Sequence, residues 1–350
     1  MAIAAQAFVS GVLETPAGPV PQVATVLALR DRWGALLVRL GFGRMRYTVE
    51  PGLYAVGVPH QDSPVLVTAN YKLSFDHLRV ALAGHAAWVL VLDTNGINVW
   101  CAAGKGTFGT VALCDQVAAN QLAQLVRHRR LVVPQLGAPG IAAHLVKRQS
   151  GFAVVYGPVQ ARDIPEFLSR GMQATPAMRR KSFSLPERAV LVPVEIGIAL
   201  KWALPLSLVL CAASGLFGSG SFWENAQAHG SRAVAGLWSG VVAGTVLTPL
   251  LLPVLPGRAF SFKGGVAGLM TALVFLPVFF SRSGGEGNGL AGLAWLLLIP
   301  AIASFLALEF TGASAYTSLS GVKKEMRLAV PLQIAAVLGG LLLLVLTRGL

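Results

Sequence analysis

PVLVTANYKLSFDHLRVALAGHAAWVLVLDTNG, residues Pro64–Gly96, sets two short apolar runs on either side of an amphipathic stretch. PVLVTANY reads as a strand with its exit loop, SFDHLRVALAG (Ser74–Gly84) as the following helix, and AAWVLVLDTNG (Ala86–Gly96) as a second buried strand closing on an Asn-Gly turn. The alternation continues downstream. A helix is expected from about Val111 to His128, and RLVVPQLGAPG, Gly140–Gln149 and FAVVYGPV then give strand, helix and strand. Strands that alternate with helices predict a parallel sheet covered on both faces, with ligands held at the carboxyl ends of the strands. TANYK, NVWCAAGKG, QLGAPG and YGPV all fall on that edge, and their Gly, Pro and small residues suit a broad, flat ligand approached by backbone.

Composition adds a second part. Of 350 residues, 54% are hydrophobic and 12% charged, too apolar for an ordinary soluble protein. Residues 1–188 hold 19 Lys and Arg against 10 Asp and Glu, and residues 189–350 hold 9 against 5. Five apolar segments fill the second part: Ile198–Phe217, Ala233–Leu255, Gly264–Phe280, Leu290–Phe310 and Leu328–Leu346. Each is about long enough to cross a hydrocarbon core as a helix, which takes roughly 20 residues. Two domains are therefore expected, 1–188 and 189–350. The N-terminal stretch has no basic leader and is broken by Glu14 and prolines, so the first domain is expected in the cytoplasm. Arg258, Lys263, Lys323, Lys324 and Arg327 then fall inside and Arg232, Arg282 and Arg348 outside, a bias that places the C-terminus outside. Arg179, Arg180, Lys181 and Arg188, just ahead of the first segment, suit membrane lipid head groups. No recognition helix or aromatic-basic platform accompanies the positive charge, so nucleic acid is not expected as a partner. Gly236, Gly240 and Gly244 line one helix face, favouring packing inside the chain over a homodimer.

NVWCAAGKGTFGT, Asn98–Thr110, carries the chemistry. Gly104, Gly106 and Gly109 satisfy GxGxxG, but Gly96–Ala103 separates them from the strand and no acid follows Asp115 until Asp163, which argues against a dinucleotide loop. Lys105 is followed by Gly106 where a phosphate loop needs Ser or Thr. None of the six histidines stands in a cysteine-hydrolase signature, and Cys101, Cys114 and Cys211 form no CxxC or Cys/His zinc or cluster spacing. Cys101 is read as starting a short helix, CAAG, closed by Gly104 in the left-handed conformation. A helix start favours a thiolate, both nucleophile and soft metal ligand. On chemistry alone, Cys101 stays open between a buried small hydrophobe and a ligand.

At this motif the sequence resembles the membrane-anchored corrinoid proteins of the mercury methylation system. Their cobalamin-binding domain is related to the large subunit of the corrinoid iron-sulfur protein of acetyl-CoA synthesis and precedes five membrane helices. RMRYTVEPGLYAVG, PVLVTANYKLSFD, GAPGIAAHLVK, VVYGPVQARDIPEFL and LEFTGASAYTSLSGVKKEMR carry the likeness beyond NVWCAAGK. The resemblance implies a Rossmann-like α/β corrinoid-binding domain followed by an all-α transmembrane domain of five helices in the cytoplasmic (inner) membrane. It implies Cys101 as the lower axial ligand of cobalt in cobalamin or a related corrinoid, with Asn98, Val99, Trp100, Ala102, Ala103, Gly104 and Lys105 forming the cap. Thr68 to Lys72, Gln135 to Gly140 and Tyr156 to Val159 would line the corrin, with Thr68, Asn70, Gly137, Tyr156 and Gly157 as contacts. The DxHxxG motif of many cobalamin proteins does not occur, since Asp76 and His77 are adjacent.

The activity implied is a methyltransferase that accepts a methyl group from a methyltetrahydrofolate-type donor or its methyltransferase and delivers it to Hg(II), yielding methylmercury. The alternative is a membrane methyl carrier in one-carbon metabolism. A separate ferredoxin-like protein with two [4Fe-4S] clusters is the implied electron partner. The loop Thr311–Val322, with Tyr316, is expected on the same side as the corrinoid domain, in a docking role.

Overall fold

Strands β4 (Val65–Ala69) and β5 (Ala87–Leu92) are buried at every position, as their unbroken apolar runs require. The computed structural model that shows this describes residues 6–216, 220–281, 289–313 and 319–347; Arg282, Tyr316 and Arg348 lie outside them. The chain divides into two compact units, residues 1–38 with 42–182 and residues 39–41 with 183–350.

The first unit holds a seven-stranded sheet. Its order is β1 (Val9–Thr15), β2 (Gly18–Val23), β3 (Gly52–Val56), β5, β4, β6 (Arg130–Val133), β7 (Ala153–Tyr156). Strands β4 to β7 run parallel, with Leu66 opposite Val89 and Val132, and Val133 opposite Tyr156. The exits of these four strands share one edge. The sheet as a whole is mixed, which corrects the expectation of a parallel one: β1 and β2 form an antiparallel hairpin, and β3 runs antiparallel to β5. Pro19 and Pro21 obscure β2 in the sequence. They pair only toward β1, and pairing with β3 begins at Gln22, so the missing N–H groups cost no ladder bond on that side.

Strand side chains alternate between two apolar layers. Ala55, Val67, Leu90 and Leu92 meet α3 (Val99–Lys105), α4 (Thr110–Ala119), α5 (Leu122–Leu125) and α6 (Ala143–Ser150) through Val99, Leu113, Leu122 and Val146, together with Phe108 of the α3–α4 link. Tyr54, Leu66, Val89 and Val91 meet Phe75 and Leu78 of α2 (Lys72–Ala81) and Phe167 of α7 (Ile164–Ser169). Each large aliphatic side chain so buried contributes about 1.5–3 kcal/mol. The helix expected over Val111–His128 is two helices, broken at Gln121, whose φ of 46° leaves the helical region.

Among its described residues the second unit contains five helices long and apolar enough to cross a membrane: Leu185–Leu216, Phe222–Leu251, Phe260–Val278, Gly289–Gly312 and Ser320–Leu346. The fourth is the hub. A Cβ on Gly240 would stand 2.9 Å from Ile302, one on Gly244 2.7 Å from Leu306, and one on Gly268 of the third helix 2.6 Å from Pro300. The glycine stripe therefore packs inside the chain, where small residues let helix backbones approach closely. Gln333 of the fifth helix donates to Ser304 at 2.8 Å.

Candidate functional site

The site is built on what leaves β5. Asp93, Thr94 and Gly96 are gathered by one side chain, Asn70 at the exit of β4. Its Oδ1 accepts from Thr94 N at 3.1 Å and Gly96 N at 3.0 Å and lies 2.8 Å from the Thr94 hydroxyl, while its Nδ2 donates to Asp93 Oδ1 at 3.0 Å. The Thr94 hydroxyl also lies 2.7 Å from the Ile97 carbonyl. Asn70 is buried, so its amide is committed to fixing the turn between strand and helix.

The helix that follows, α3, starts at Val99, two residues before Cys101, with Asn98 as its N-cap: Asn98 Oδ1 accepts from Cys101 N at 2.9 Å. The left-handed closing residue is Gly106, with φ 83°, and Gly104 lies inside the helix, correcting the expected CAAG turn. The chain can leave the helix there because glycine adopts that φ without a Cβ clash.

The helix has two faces. Val99, Ala102 and Ala103 are buried toward the sheet. Trp100, Gly104 and Lys105 are exposed and Cys101 is half-buried with a free thiol. Residues three and four apart share a helix face, so Gly104 and Lys105 neighbour Cys101 on the open side. A Cβ added to Gly104 would meet nothing within 4 Å, leaving open space one turn beyond the thiol.

QLGAPG supports this helix from beneath as a 3-10 turn, Gln135–Gly140. Its glycines are needed for close approach. A Cβ on Gly137 would stand 2.5 Å from the Phe108 ring and 3.3 Å from Val99, and one on Gly140 would collide with the Phe108 carbonyl and come within 3.1 Å of Ala103. Phe108, fully buried, is thus the wedge between helix and turn, a role that its place within a glycine-rich run concealed. Tyr156 closes the far side: its hydroxyl donates to the Ile141 carbonyl at 2.7 Å, and burial pushes its phenol pKa up. Gly157 N donates to the Val133 carbonyl at 2.8 Å. Thr68, buried near the end of β4, completes the row of expected residues.

The expected residues thus gather on one sheet edge. Those of α3 present an open face, whereas the amide of Asn70 and the hydroxyl of Tyr156 are engaged with backbone. Gln135 Oε1, on the same edge, is buried without a hydrogen-bond partner. Among the described residues no group of three or more His, Cys, Asp or Glu could hold a metal ion. A metal at Cys101 would have to bring most of its ligands with it.

The family profile described as CO dehydrogenase/acetyl-CoA synthase delta subunit matches residues 43–168, which contain the whole site. The acetyl-CoA decarbonylase/synthase complex subunit gamma of Methanopyrus kandleri is 35% identical over 124 residues, 35% of this chain and 26% of that protein. Its counterpart from Archaeoglobus fulgidus is 32% identical over 127 residues, covering 35% and 26%, and that from Methanothermobacter thermautotrophicus 30% identical over 129 residues, covering 36% and 28%. The chain spans about a quarter of the length of the curated relatives it matches. These matches are consistent with the corrinoid cofactor that the resemblance implies.

Proposed function

We propose that the chain is a membrane-embedded corrinoid methyl carrier in which Cys101 would hold the cobalt. The observation that carries this reading is the free, half-buried thiol of Cys101 on the open face of a helix pinned to the sheet, with unfilled space over Gly104.

The residues fit the group. A single thiol suits a metal whose remaining equatorial ligands come from a macrocycle, and the flat face suits a flat ring. The unpartnered acceptor Gln135 Oε1 suits a ring whose rim carries amide N–H donors. Cys101 would hold the metal, and the exposed Trp100, Gly104 and Lys105 would lie against the ring; Val99, Ala102 and Ala103 would seat the helix on the sheet, Asn98 and Asn70 would fix its start, and Gly137, Tyr156, Gly157 and Thr68 would support it along the same edge. When bound, a corrinoid would supply a cobalt centre able to carry a methyl group, its electron density tuned by the side chain that holds the metal. Asn98 holds the Cys101 backbone in place, and Ala102 and Ala103 keep the helix seated so that the thiol keeps its position.

The names of the matched relatives, subunits of acetyl-CoA decarbonylase/synthase complexes, favour a methyl carrier in one-carbon chemistry. The finer proposal, delivery of the methyl group to Hg(II) as substrate, rests on the resemblance at Asn98–Lys105 and on the five apolar helices. Hg(II) is a soft ion, and an electron-rich sulfur at Cys101 holding the cobalt would suit donation of the group to a soft acceptor. The proposed donor is a methyltetrahydrofolate-type compound or its methyltransferase. The proposed electron source is a separate ferredoxin-like protein with two [4Fe-4S] clusters, because the three cysteines of this chain have no cluster spacing. The helices would cross the inner membrane with the first unit in the cytoplasm and the C-terminus outside, following the Lys and Arg bias.

The test is the visible spectrum of the full chain reconstituted with cobalamin. Wild type should show thiolate coordination and Cys101→Ala should not; coincident spectra would remove the ligand assignment. In cells lacking this chain, complementation should restore methylmercury formation, and Cys101→Ala should not. Unchanged mercury methylation on deletion, beside a spectrum that depends on Cys101, would leave the carrier and remove Hg(II) as acceptor.

A further inference from the structure

Helix α1 (Leu29–Arg39) is built inside out for a helix on a soluble domain. Leu29, Trp33, Leu36 and Leu37 recur at spacings of four, three and one, a single stripe along the helix. A soluble domain buries such a stripe. Here Leu29 is 84% and Trp33 63% exposed, and Leu36 and Leu37 are exposed as well.

The opposite face is the one that packs. Asp31 is buried, 2.7 Å from both Lys72 Nζ and Arg79 Nη2 of α2. Gly34 faces the Tyr47 ring, where a Cβ would stand 2.7 Å away, and Val38 is buried. The inward face of α1 therefore holds a carboxylate, a glycine and one valine, and its leucines and tryptophan face out. The pattern continues past the helix, where Phe42 and Met45 are 64% and 60% exposed.

The charge around this stripe has one sign. Arg30, Arg32, Arg44 and Arg46 are exposed, and among the described residues none of them has an ion-pair partner. Asp31 is the only acid between Leu29 and Arg46, and it is turned inward. Leucine, tryptophan and phenylalanine flanked by unpaired arginines are what an in-plane interfacial helix requires: the apolar face enters the head-group boundary while the arginine stems reach back toward phosphate. An exposed apolar patch of this kind marks an interaction surface, and the unpaired positive charge makes an anionic lipid surface its complement.

We propose that α1 and the segment through Arg46 lie in the plane of an anionic bilayer surface, with Trp33 and Leu36 in the head-group boundary and Arg30, Arg32, Arg44 and Arg46 on lipid phosphates. This contact is separate from the spanning helices and independent of the corrinoid.

The experiment uses the full chain with p-benzoylphenylalanine in place of Leu36, in vesicles of phosphatidylcholine alone or of about 3:1 phosphatidylcholine and phosphatidylglycerol. After irradiation, mass spectrometry should find lipid attached at residue 36, more in the phosphatidylglycerol vesicles. The same probe at Val58, 70% exposed against 44% for Leu36 but outside the patch, should give none. Arg30→Glu together with Arg32→Glu should cut the phosphatidylglycerol-dependent adduct by about fivefold or more per arginine. Absence of lipid at residue 36, equal adduct at Val58, or attachment to a second protein chain would overturn the proposal. Carbonate extraction of the same vesicles keeps this result apart from the spanning reading. A chain that is extracted but carries lipid at residue 36 overturns only the spanning; a retained chain without that adduct overturns only the surface contact.

Discussion

The side-chain oxygen of Asn98 accepts the backbone N–H of Cys101 at 2.9 Å, so the residue proposed to bind cobalt is fixed by the cap of its own helix. Removing such a cap costs about 1 kcal/mol. Asn98→Ala should lower the melting temperature of the full chain by a few degrees and weaken the cobalt–thiolate absorption. Asn98→Asp, which keeps the acceptor, should retain both; equal loss in the two variants would mean that the cap is not what positions the thiol.

Gly104 and Gly140 separate fold from site. Gly104 lies in a helix facing open space, so Gly104→Leu should fold at least as stably as wild type, yet it places a bulky group beside Cys101 and should abolish corrinoid uptake. Gly140→Ala places a Cβ against the Phe108 carbonyl and near Ala103, an overpacking that costs roughly 1–3 kcal/mol. Thermal unfolding and cobalamin titration of both variants should therefore give opposite orders of damage. Full cobalamin binding by Gly104→Leu would remove the open face from the site.

Asn70 should prove a positioning residue. Asn70→Ala leaves the buried Thr94 N and Gly96 N without this partner, a loss of about 1–3 kcal/mol for each group left unsatisfied, whereas the exposed Asp93 carboxylate keeps Asn95 N. Calorimetry should show a large drop in stability, and hydrogen exchange should rise across Asp93–Asn98. A stability unchanged from wild type would contradict the hub.

The Asp31 carboxyl makes the first unit acid-sensitive. Burial pushes its pKa up, but hydrogen bonds and charge from Lys72, with the hydrogen bond from Arg79, outweigh burial and hold it below the ordinary value of 3.8. A pKa depressed in the folded state gives stability that is complete above the unfolded-state value and is lost as pH falls through the folded one. Asp31→Asn should therefore lower the melting temperature at neutral pH, where breaking a buried ion network costs roughly 3 kcal/mol or more. The gap to wild type should close as pH drops below 3.8. A gap independent of pH would place the effect in packing.

Much of this was legible in the sequence wherever one residue type has one physical use. The runs around Val65–Ala69 and Ala87–Leu92 could only be buried strands, and their parallel pairing followed from the helix between them. The β1–β2 hairpin was not legible, because Pro19 and Pro21 look like breakers until the strand is seen to pair on one side there. At the site, the half-buried, open placement of Cys101 was not readable from its chemistry, which suits a buried small hydrophobe as well as a ligand. Nor was the closing residue, since Gly104, Gly106 and Gly109 are chemically identical and only the fold shows which takes φ 83°. Asn70 was read as a wall residue, but its amide is consumed by the turn, a distinction that depends on contacts 23 to 26 residues away.

The seating of α3 also bears on what an incoming metal must immobilise. A cysteine side chain has one heavy-atom rotation, χ1, with three staggered positions. Because Asn98, Ala102 and Ala103 already hold the backbone, that rotation is all the freedom left to the sulfur. Choosing one rotamer of three costs about 0.7 kcal/mol, far below the price of ordering a loop. Folding settles the rest before any ligand arrives, so the strength of the bond to sulfur would be spent almost wholly on affinity.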